Sequence, residues 1–206
     1  MQIDIIEDCS PYYIRFKHTG SNEIIQKCFQ FKQEQMDPHG INKGFLHFKL
    51  PLALGLEILT TVPGHAELEY IDKRVSLFVT QPKVYYRPHR DGLGLKMGIN
   101  YIVDVKDDKC ITSWYSLEEF EGRPIDNLVN NNSREIADFN WKAEYTKHTP
   151  LKSVTAKQGE VMLFNTDLYH DVNNVFSKNE RTILTLRSSL HIQPSFMDAR
   201  KVIFGY

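Results

Sequence analysis

Cysteine is scarce in this chain, and long apolar runs are absent from it. Its three cysteines, Cys9, Cys28 and Cys110, fit neither a Cys-x-x-Cys metal site nor a paired disulfide framework. No stretch approaches the roughly 18 apolar residues of a membrane-spanning helix, and the opening MQIDIIEDCS lacks the apolar segment of a signal peptide. We therefore expect a protein of the reducing cytoplasm that does not enter a membrane.

An excess of either charge is also missing. The 25 basic residues nearly balance the 26 acidic ones, which leaves a net charge of −1. Nucleic-acid partners usually select a basic surface, so this balance argues against a polyanionic partner, although a local basic groove would be compatible with it. The length of 206 residues favours a single domain with a sizeable core. The sequence carries no signature of an oligomeric state.

The chain after Val75 reads as a series of short β-segments separated by turns. About eight such segments are typical of a cupin-type jelly roll, or double-stranded β-helix, in which two facing sheets leave a pocket at one mouth. We therefore predict a mainly β fold with its jelly-roll core at 75–191. The expected strands are 75–80, 83–90, 97–105, 110–116, 151–156, 160–165, 170–175 and 181–191.

Helices, strands and a tail are predicted around this core. Residues 1–74 are expected to form flanking helices and strands, with helices that start near Ser21 and Pro51. Residues 192–206 are expected to form a C-terminal tail. Within the core, 118–145 is too long and polar for a hairpin loop. Such an insertion is more often a functional lid or a mobile segment than a plain connector.

Three side chains in the predicted core could hold a metal ion. His89 and Asp91 are two residues apart, so in a strand they point to the same face. His170 follows an apolar run, VMLF, and a polar turn, NTD. Two histidines and one carboxylate, with three positions left open, suit non-haem Fe(II) oxygen chemistry. Two other interpretations of these residues are possible. His89 and Asp91 could form a surface ion pair without a metal, or Asp167 and His170 could bind zinc.

Arginine supplies the last part of the pattern. Arg181 begins the strand-like run RTILTLR eleven residues after His170, and a fixed guanidinium there could clamp a carboxylate bidentately. Alternation places Arg181, Ile183, Thr185 and Arg187 on one face of this strand. If that face lines the barrel, both guanidinium groups enter the pocket, where anionic ligands would have to neutralise them.

The order His-x-Asp, His, Arg resembles the pattern of the Fe(II)/2-oxoglutarate-dependent oxygenase superfamily, over roughly 75–189. Within that superfamily, the segments PHRDG, MGINYIV, TSWY, GEVMLFN and HDVNN, ending in ERTILTL, look most like small hydroxylases of the aspartyl/asparaginyl and free-proline kind. Arg181, Thr185 and Arg187 also resemble the R-x-N-x-T-x-R signature of AlkB-type nucleic-acid demethylases, with Ile183 in place of its asparagine.

The resemblance implies a cofactor and a co-substrate. His89, Asp91 and His170 would hold Fe(II), and 2-oxoglutarate and O2 would be converted to succinate and CO2. The spacing assigns the distal carboxylate of 2-oxoglutarate to Arg181. Arg187 is then a candidate for the carboxylate of the substrate, or the two arginines exchange roles, because the sequence does not order them. The insertion at 118–145 would cover the substrate pocket.

Three further residues are expected at the pocket. Tyr85 has the same strand parity as His89, so its hydroxyl could reach the co-substrate. Asn100 and Trp114 lie on the following strands and are candidate substrate-binding residues, although an aromatic residue in such a place is more often part of the core.

The function expected from this pattern is hydroxylation of a C–H bond, by a 2-oxoglutarate-dependent dioxygenase, in an amino acid or a protein side chain. Two alternatives remain open at this point. One is an AlkB-like oxidative demethylase or hydroxylase of nucleobases. The other is a cupin-like binding module that keeps the barrel and has no catalytic activity.

Overall fold

Two antiparallel β-sheets form the centre of the computed structural model, which describes residues 1–35, 45–71, 75–91, 95–120 and 148–206. The expected insertion at 118–145 lies outside the described residues, apart from a short 3-10 turn at Glu118–Phe120. The strands are β1 (Ile3–Cys9), β2 (Tyr13–His18), β3 (Phe45–Lys49), β4 (Ser76–Thr80), β5 (Tyr85–His89), β6 (Met97–Val105), β7 (Ile111–Trp114), β8 (Lys152–Val154), β9 (Val161–Asn165), β10 (His170–Asn173) and β11 (Arg181–Leu186).

The strand order is that of a jelly roll. The larger sheet has the order β1-β2-β9-β6-β11-β4-β3, and the smaller sheet has the order β5-β10-β7-β8. Strands β4 to β11 are divided equally between the two sheets, and each lies within one of the eight segments predicted from the sequence. The prediction of a mainly β jelly roll is therefore confirmed. Strand β5 is an edge strand and ends at His89. Pro88 is tolerated near this end because proline, which cannot donate a backbone hydrogen bond, is confined to edge strands and strand ends.

Four helices accompany the sheets in the described part of the chain: α1 (Ser21–Gln35), α2 (Leu52–Leu59), α3 (His65–Leu68) and α4 (Phe196–Phe204). The apolar residues Ile24, Cys28 and Phe31 recur at helical spacing, so α1 buries one face. None of the described helices is long and apolar enough to cross a membrane.

The C-terminal region is a capped helix where a tail was expected. The Ser195 side chain accepts a hydrogen bond from the Asp198 backbone N–H, and the Asp198 carboxylate accepts one from the Ser195 backbone N–H. Gly205 ends α4 with a φ of 84°, a left-handed conformation that glycine adopts without strain. The two caps fix the ends of α4, which buries Phe196 and Ala199 in the main core.

Alternation along β11 separates the core from the interior of the barrel. Leu184 and Leu186 point to the side of the helices and join the main apolar cluster, while Ile183 and Thr185 line a cavity between the two sheets. The predicted division of this strand into an apolar face and a face that carries arginines is therefore correct. The barrel interior combines polar and charged side chains with apolar ones such as Phe78 and Ile183.

A buried ion network ties α1 to the ends of β6 and β11. The Lys32 ammonium lies 2.9 Å from the Asp104 carboxylate and also contacts Glu180, and the Lys32 side chain is only 2% exposed. Lys27 on the same helix is paired with two carboxylates as well, those of Glu23 and Glu57, but it is 33% exposed. The two lysines thus differ in burial rather than in the number of partners.

Removal of the buried lysine should destabilise the fold. Lys32→Met keeps most of the apolar stem but leaves the buried Asp104 carboxylate with the exposed Lys106 as its remaining cation, and we expect it to lower the free energy of unfolding by about 2–3 kcal/mol. Lys27→Met is the matched control, and its effect should be far smaller because water screens an exposed pair. Urea unfolding of both variants measures the difference. Equal losses would show that the buried network contributes nothing special.

Candidate functional site

Strand pairing brings distant residues of the chain together at one end of the smaller sheet. His170, the first residue of β10, is directly opposite His89, the last residue of β5. Asp91 follows two residues after His89, and its backbone N–H donates to the carbonyl of Thr166. The three predicted ligands therefore meet although 79 residues (170 − 91) separate the last two.

The three side chains form a compact cluster of possible metal ligands. One ligand atom from each of His89, Asp91 and His170 lies within 4.8 Å of the others. His89 Nε2 is 3.7 Å from Asp91 Oδ1, and the two imidazole rings have centroids 4.4 Å apart. A facial triad consists of two imidazoles and a carboxylate that bind one face of a metal ion, and these three side chains supply that donor set. Asp167, the alternative zinc ligand, is paired with Arg90 and lies outside this cluster.

A backbone carbonyl orients His170. The ring Nδ1 lies 2.9 Å from the Leu168 carbonyl oxygen, which can only accept, so Nδ1 carries the proton and Nε2 is left with its lone pair. Burial lowers the pKa of His170 to about 4, which keeps the ring neutral at pH 7. The imidazole is thus held in the tautomer that binds a metal through Nε2. No sequence signal marks the backbone carbonyl that fixes this tautomer.

Asp91 is held as a carboxylate. Burial would raise its pKa, but the positive charge of Arg187 and the two neighbouring histidines outweigh burial, and the pKa of Asp91 lies below its usual value. Arg187 Nη2 is 2.7 Å from Asp91 Oδ2. Arg187 thus contacts Oδ2 of the Asp91 carboxylate, while Oδ1 of the same carboxylate faces His89. The ion pair therefore orients the carboxylate relative to the cluster.

A glycine makes room for Arg187. A Cβ atom on Gly98 would lie 1.9 Å from Arg187 Nη1 and 2.7 Å from Phe164 Cε1, distances that non-bonded atoms do not reach. The guanidinium also lies over the Phe164 ring, 5.1 Å from its centroid, in a cation–π contact. Gly98, Phe164 and Asp91 together define the position of Arg187.

Arg181 lies at the opposite end of β11. It is paired with Thr80 and Val105, six residues (187 − 181) or roughly 20 Å of extended chain from Arg187. Arg181 lines the cavity, is 4% exposed and forms no ion pair with any carboxylate that the structure describes. The structure thus places the two arginines at different ends of the cavity. Arg187 contacts the candidate metal-ligand cluster, and Arg181 is a buried cation at the far end.

The predicted substrate residues separate into one that lines the cavity and one that does not. Asn100 lines it and accepts a hydrogen bond of 2.8 Å from the Thr185 hydroxyl. Trp114 is fully buried in a second apolar cluster, where it stacks on Tyr13 and donates from Nε1 to the Asn165 carbonyl. The structure therefore places Trp114 in the core and outside the residues that line the cavity.

Tyr85 is likewise not among the residues that line the cavity; its neighbour Tyr86 is. The register of β5 against β10 shifts between His170 and Val172, so simple alternation from His89 back to Tyr85 fails. Tyr86 packs edge-on against His89, with ring centroids 4.5 Å apart. A bulge of this kind has no signature in a single sequence, so alternation from His89 could not show that Tyr86, and not Tyr85, lines the cavity.

A buried carboxylate, that of Asp171, lies behind the cluster. Asp171 accepts hydrogen bonds from the Ser113 backbone N–H at 3.1 Å and from the Tyr115 hydroxyl at 2.6 Å. Burial raises the pKa of Asp171 to about 6, although hydrogen bonds from the hydroxyl groups of Tyr115 and Tyr85 favour the ionised form and so lower this pKa. These contacts tie β10 to β7 at the residue next to His170, and so they stabilise the position of that ligand.

Comparison with known proteins supports the fold. No protein-family model and no curated protein matches the chain. An oxidoreductase of the 2OG-Fe(II) oxygenase family from Burkholderia pseudomallei is similar in structure, with a TM-score of 0.56 and 14% identity over 88% of this chain and 86% of that one. The chain has the jelly-roll fold of these oxygenases.

Two further solved structures agree with this result. The non-haem α-ketoglutarate-dependent epimerase SnoN from nogalamycin biosynthesis has a TM-score of 0.52 and 11% identity, over 85% of this chain and 77% of that one. HygX from Streptomyces hygroscopicus, solved with nickel and 2-oxoglutarate, has a TM-score of 0.51 and 10% identity, over 85% of this chain and 81% of that one. Identities this low establish a shared fold and no more.

The close packing of Arg187 against Gly98 predicts an energetic coupling between the two positions. Gly98→Ala should lower the free energy of unfolding by about 1–3 kcal/mol, because the added methyl group has to displace the guanidinium. The same substitution should cost clearly less in an Arg187→Ala background, where that atom is gone. Urea unfolding of the four proteins measures the coupling. An equal cost in both backgrounds would show that Phe164, and not Arg187, is the obstacle.

Proposed function

We propose that this protein is an Fe(II)- and 2-oxoglutarate-dependent oxygenase that oxidises a C–H bond of a small organic substrate. One observation carries the proposal: a cluster of two histidines and a carboxylate lies at one end of a cavity that has a buried arginine without a described carboxylate partner at the other end. A free amino acid, as expected from the sequence, remains a prediction within this class, and a protein side chain remains the alternative prediction outside it.

The donor set fits Fe(II). Neutral imidazoles and an ionised carboxylate are the protonation states that bind a divalent metal, and the pKa values of His170 and Asp91 are shifted in those directions. His89, Asp91 and His170 would occupy one face of an octahedron and leave three positions for the co-substrate and O2. When bound, iron and 2-oxoglutarate supply the oxidising chemistry, with succinate and CO2 as co-products.

The arginines have separate tasks in this proposal. Arg181 binds the distal carboxylate of 2-oxoglutarate, because a buried guanidinium is stabilised by an anion that pairs with it bidentately. Arg187 acts through Asp91, since it holds the carboxylate that would bind the metal. Phe164, Val172 and Ile183 line the space between the two ends and exclude water from it.

Binding of metal and co-substrate can be tested without knowledge of the substrate. Anaerobic titration of the protein with Fe(II) and 2-oxoglutarate should produce the weak visible charge-transfer band of the chelated complex. His170→Ala should abolish it, because a facial triad cannot form from two ligands. A folded wild-type protein that shows no band would refute the proposal, and the barrel would then have to be studied as a binding module or as a different metalloenzyme.

The role of Arg181 predicts a specific loss of discrimination. Wild-type protein should prefer 2-oxoglutarate to 2-oxopentanoate, which has the same chain length but no distal carboxylate. Arg181→Met should weaken 2-oxoglutarate binding by roughly 30-fold or more, the effect of losing one partner of a buried charge pair, and should leave 2-oxopentanoate nearly unaffected. Anaerobic titration of both acids into both proteins measures this. Parallel losses for the two acids would assign the distal carboxylate to another residue.

A further inference from the structure

Two connections between the sheets meet beside Arg181. Residues 81–84 lead from β4 of the larger sheet to β5 of the smaller one, and residues 174–180 lead from β10 back to β11. Arg181 is the first residue after the second connection, and Thr80, which is directly paired with it, is the last residue before the first. The placement of Arg181 in the cavity therefore depends on how the two connections are held against each other.

The side chain of Asn174 is bonded to both connections. Its Nδ2 is 3.2 Å from the carbonyl oxygen of Thr80 and 3.0 Å from that of Gln81, where the first connection begins. The same Nδ2 is 2.9 Å from the carbonyl oxygen of Asn179, two residues before Arg181. Carbonyl oxygens only accept hydrogen bonds, so the two N–H groups of the amide are shared among three acceptors, which fix its orientation.

The backbone of Asn174 anchors this contact in the smaller sheet. Its N–H donates to the Val84 carbonyl at 2.9 Å, and its own carbonyl accepts from the Lys83 N–H at 3.0 Å. These two bonds continue the antiparallel pairing of β10 with β5, while the amide holds the end of β4 in the larger sheet. One residue thus joins the two sheets at the Arg181 end of the cavity.

Burial makes these bonds costly to lose. Asn174 is 0% exposed, so water does not compete for the three carbonyl oxygens. Its own Oδ1 is buried and has no hydrogen-bond partner among the residues that the structure describes. An unpaired buried acceptor is unfavourable, so the bonds from Nδ2 have to account for an asparagine at this position.

We infer that Asn174 is a positioning residue for Arg181, which it aligns for bidentate binding of the distal carboxylate of the co-substrate. This inference rests on the proposed function, because it takes Arg181 as the partner of that carboxylate. The amide holds the carbonyl of the residue paired with Arg181 and the carbonyl two residues before it, so it fixes the backbone on both sides of the guanidinium. Asn174 does not line the cavity and therefore acts through Arg181. Bidentate pairing is directional, so a small displacement of the guanidinium weakens it.

The neighbouring residue supplies a matched control. Asn173 is also 0% exposed, but it lies on the opposite face of β10, and its side chain accepts from the Val175 backbone N–H. Asn174→Ala and Asn173→Ala thus remove the same buried side chain on either face of one strand. Asn174→Ser keeps a single, shorter donor, and it takes the place of Asn174→Ala if the alanine variant does not fold.

The first measurement is anaerobic titration of 2-oxoglutarate and 2-oxopentanoate into the Fe(II)-loaded proteins. Asn174→Ala should weaken 2-oxoglutarate binding by roughly fivefold to tenfold, the worth of about one hydrogen bond, with a smaller loss in Asn174→Ser. Binding of 2-oxopentanoate, which has no distal carboxylate, should be nearly unchanged. Asn173→Ala should leave the ratio of the two affinities as it is in the wild type. A loss that is equal for both acids would show a merely structural role and overturn the inference.

The second measurement needs neither iron nor co-substrate. The Nε–H signal of Arg181 in the NMR spectrum, assigned by its loss in Arg181→Met, should shift or broaden in Asn174→Ala and stay in place in Asn173→Ala. An unchanged signal in Asn174→Ala, or equal changes in the two variants, would overturn the inference. If wild-type protein binds no 2-oxoglutarate, the proposed function fails, and the effect of Asn174 on the Arg181 signal still stands as a separate result.

Discussion

The antiparallel register of β10 is the constraint on which the site depends. Its first residue, His170, is paired with His89 on one side and with Trp114 on the other. The next residue, Asp171, points to the opposite face and is bonded to the backbone and a hydroxyl group on the β7 side. One face of this four-residue strand thus presents a candidate metal ligand, while the other face anchors the strand. A slip by one residue would exchange the two and destroy the cluster.

The two arginines of the cavity show how charge is distributed around this constraint. A charge removed from water costs several kcal/mol unless it is paired. Arg187 is paired with Asp91 and lies over the Phe164 ring, so contacts within the fold offset the desolvation of its charge. Arg181 is more deeply buried, interacts with the Cys110 side chain and has no carboxylate partner in the described chain. An anionic ligand at that end of the cavity would therefore add to stability as well as to binding.

Much of this arrangement could be predicted from the sequence because it follows from alternation and from turns. The eight core strands, the inward face of β11 and the grouping of His89 with Asp91 rest on a period of two residues, whereas His170 is identified from the donor set that a metal needs. Other features could not be predicted in this way. The register shift that turns Tyr86 inward and the burial of Trp114 depend on pairing between strands far apart in the chain. The Leu168 carbonyl is only two residues from His170, but its direction depends on the conformation of the turn before β10.

The packing of Gly98 shows a second limit of such prediction. The sequence MGINYIV suggests a central strand in which glycine is a weakness, since it has no side chain to pack. In the structure this position is where the guanidinium of Arg187 fits, and any side chain would displace it. The glycine is therefore explained by an arginine 89 residues further along the chain (187 − 98). At this position a residue of low strand propensity is needed because only glycine leaves space for the guanidinium.

The position of β3 in the larger sheet differs from that of the strands that carry the candidate ligands. The candidate ligands and Arg181 belong to strands that are bonded on the β10 and β11 ladders, where a change in one strand disturbs its neighbours. Strand β3 is an edge strand, bonded to β4 alone in the described chain, and His47 is exposed on it. Substitutions at that edge disturb fewer strand partners than substitutions in β10 or β11, each of which is bonded on both sides. The edge strand can therefore vary in sequence while the candidate ligands keep their positions.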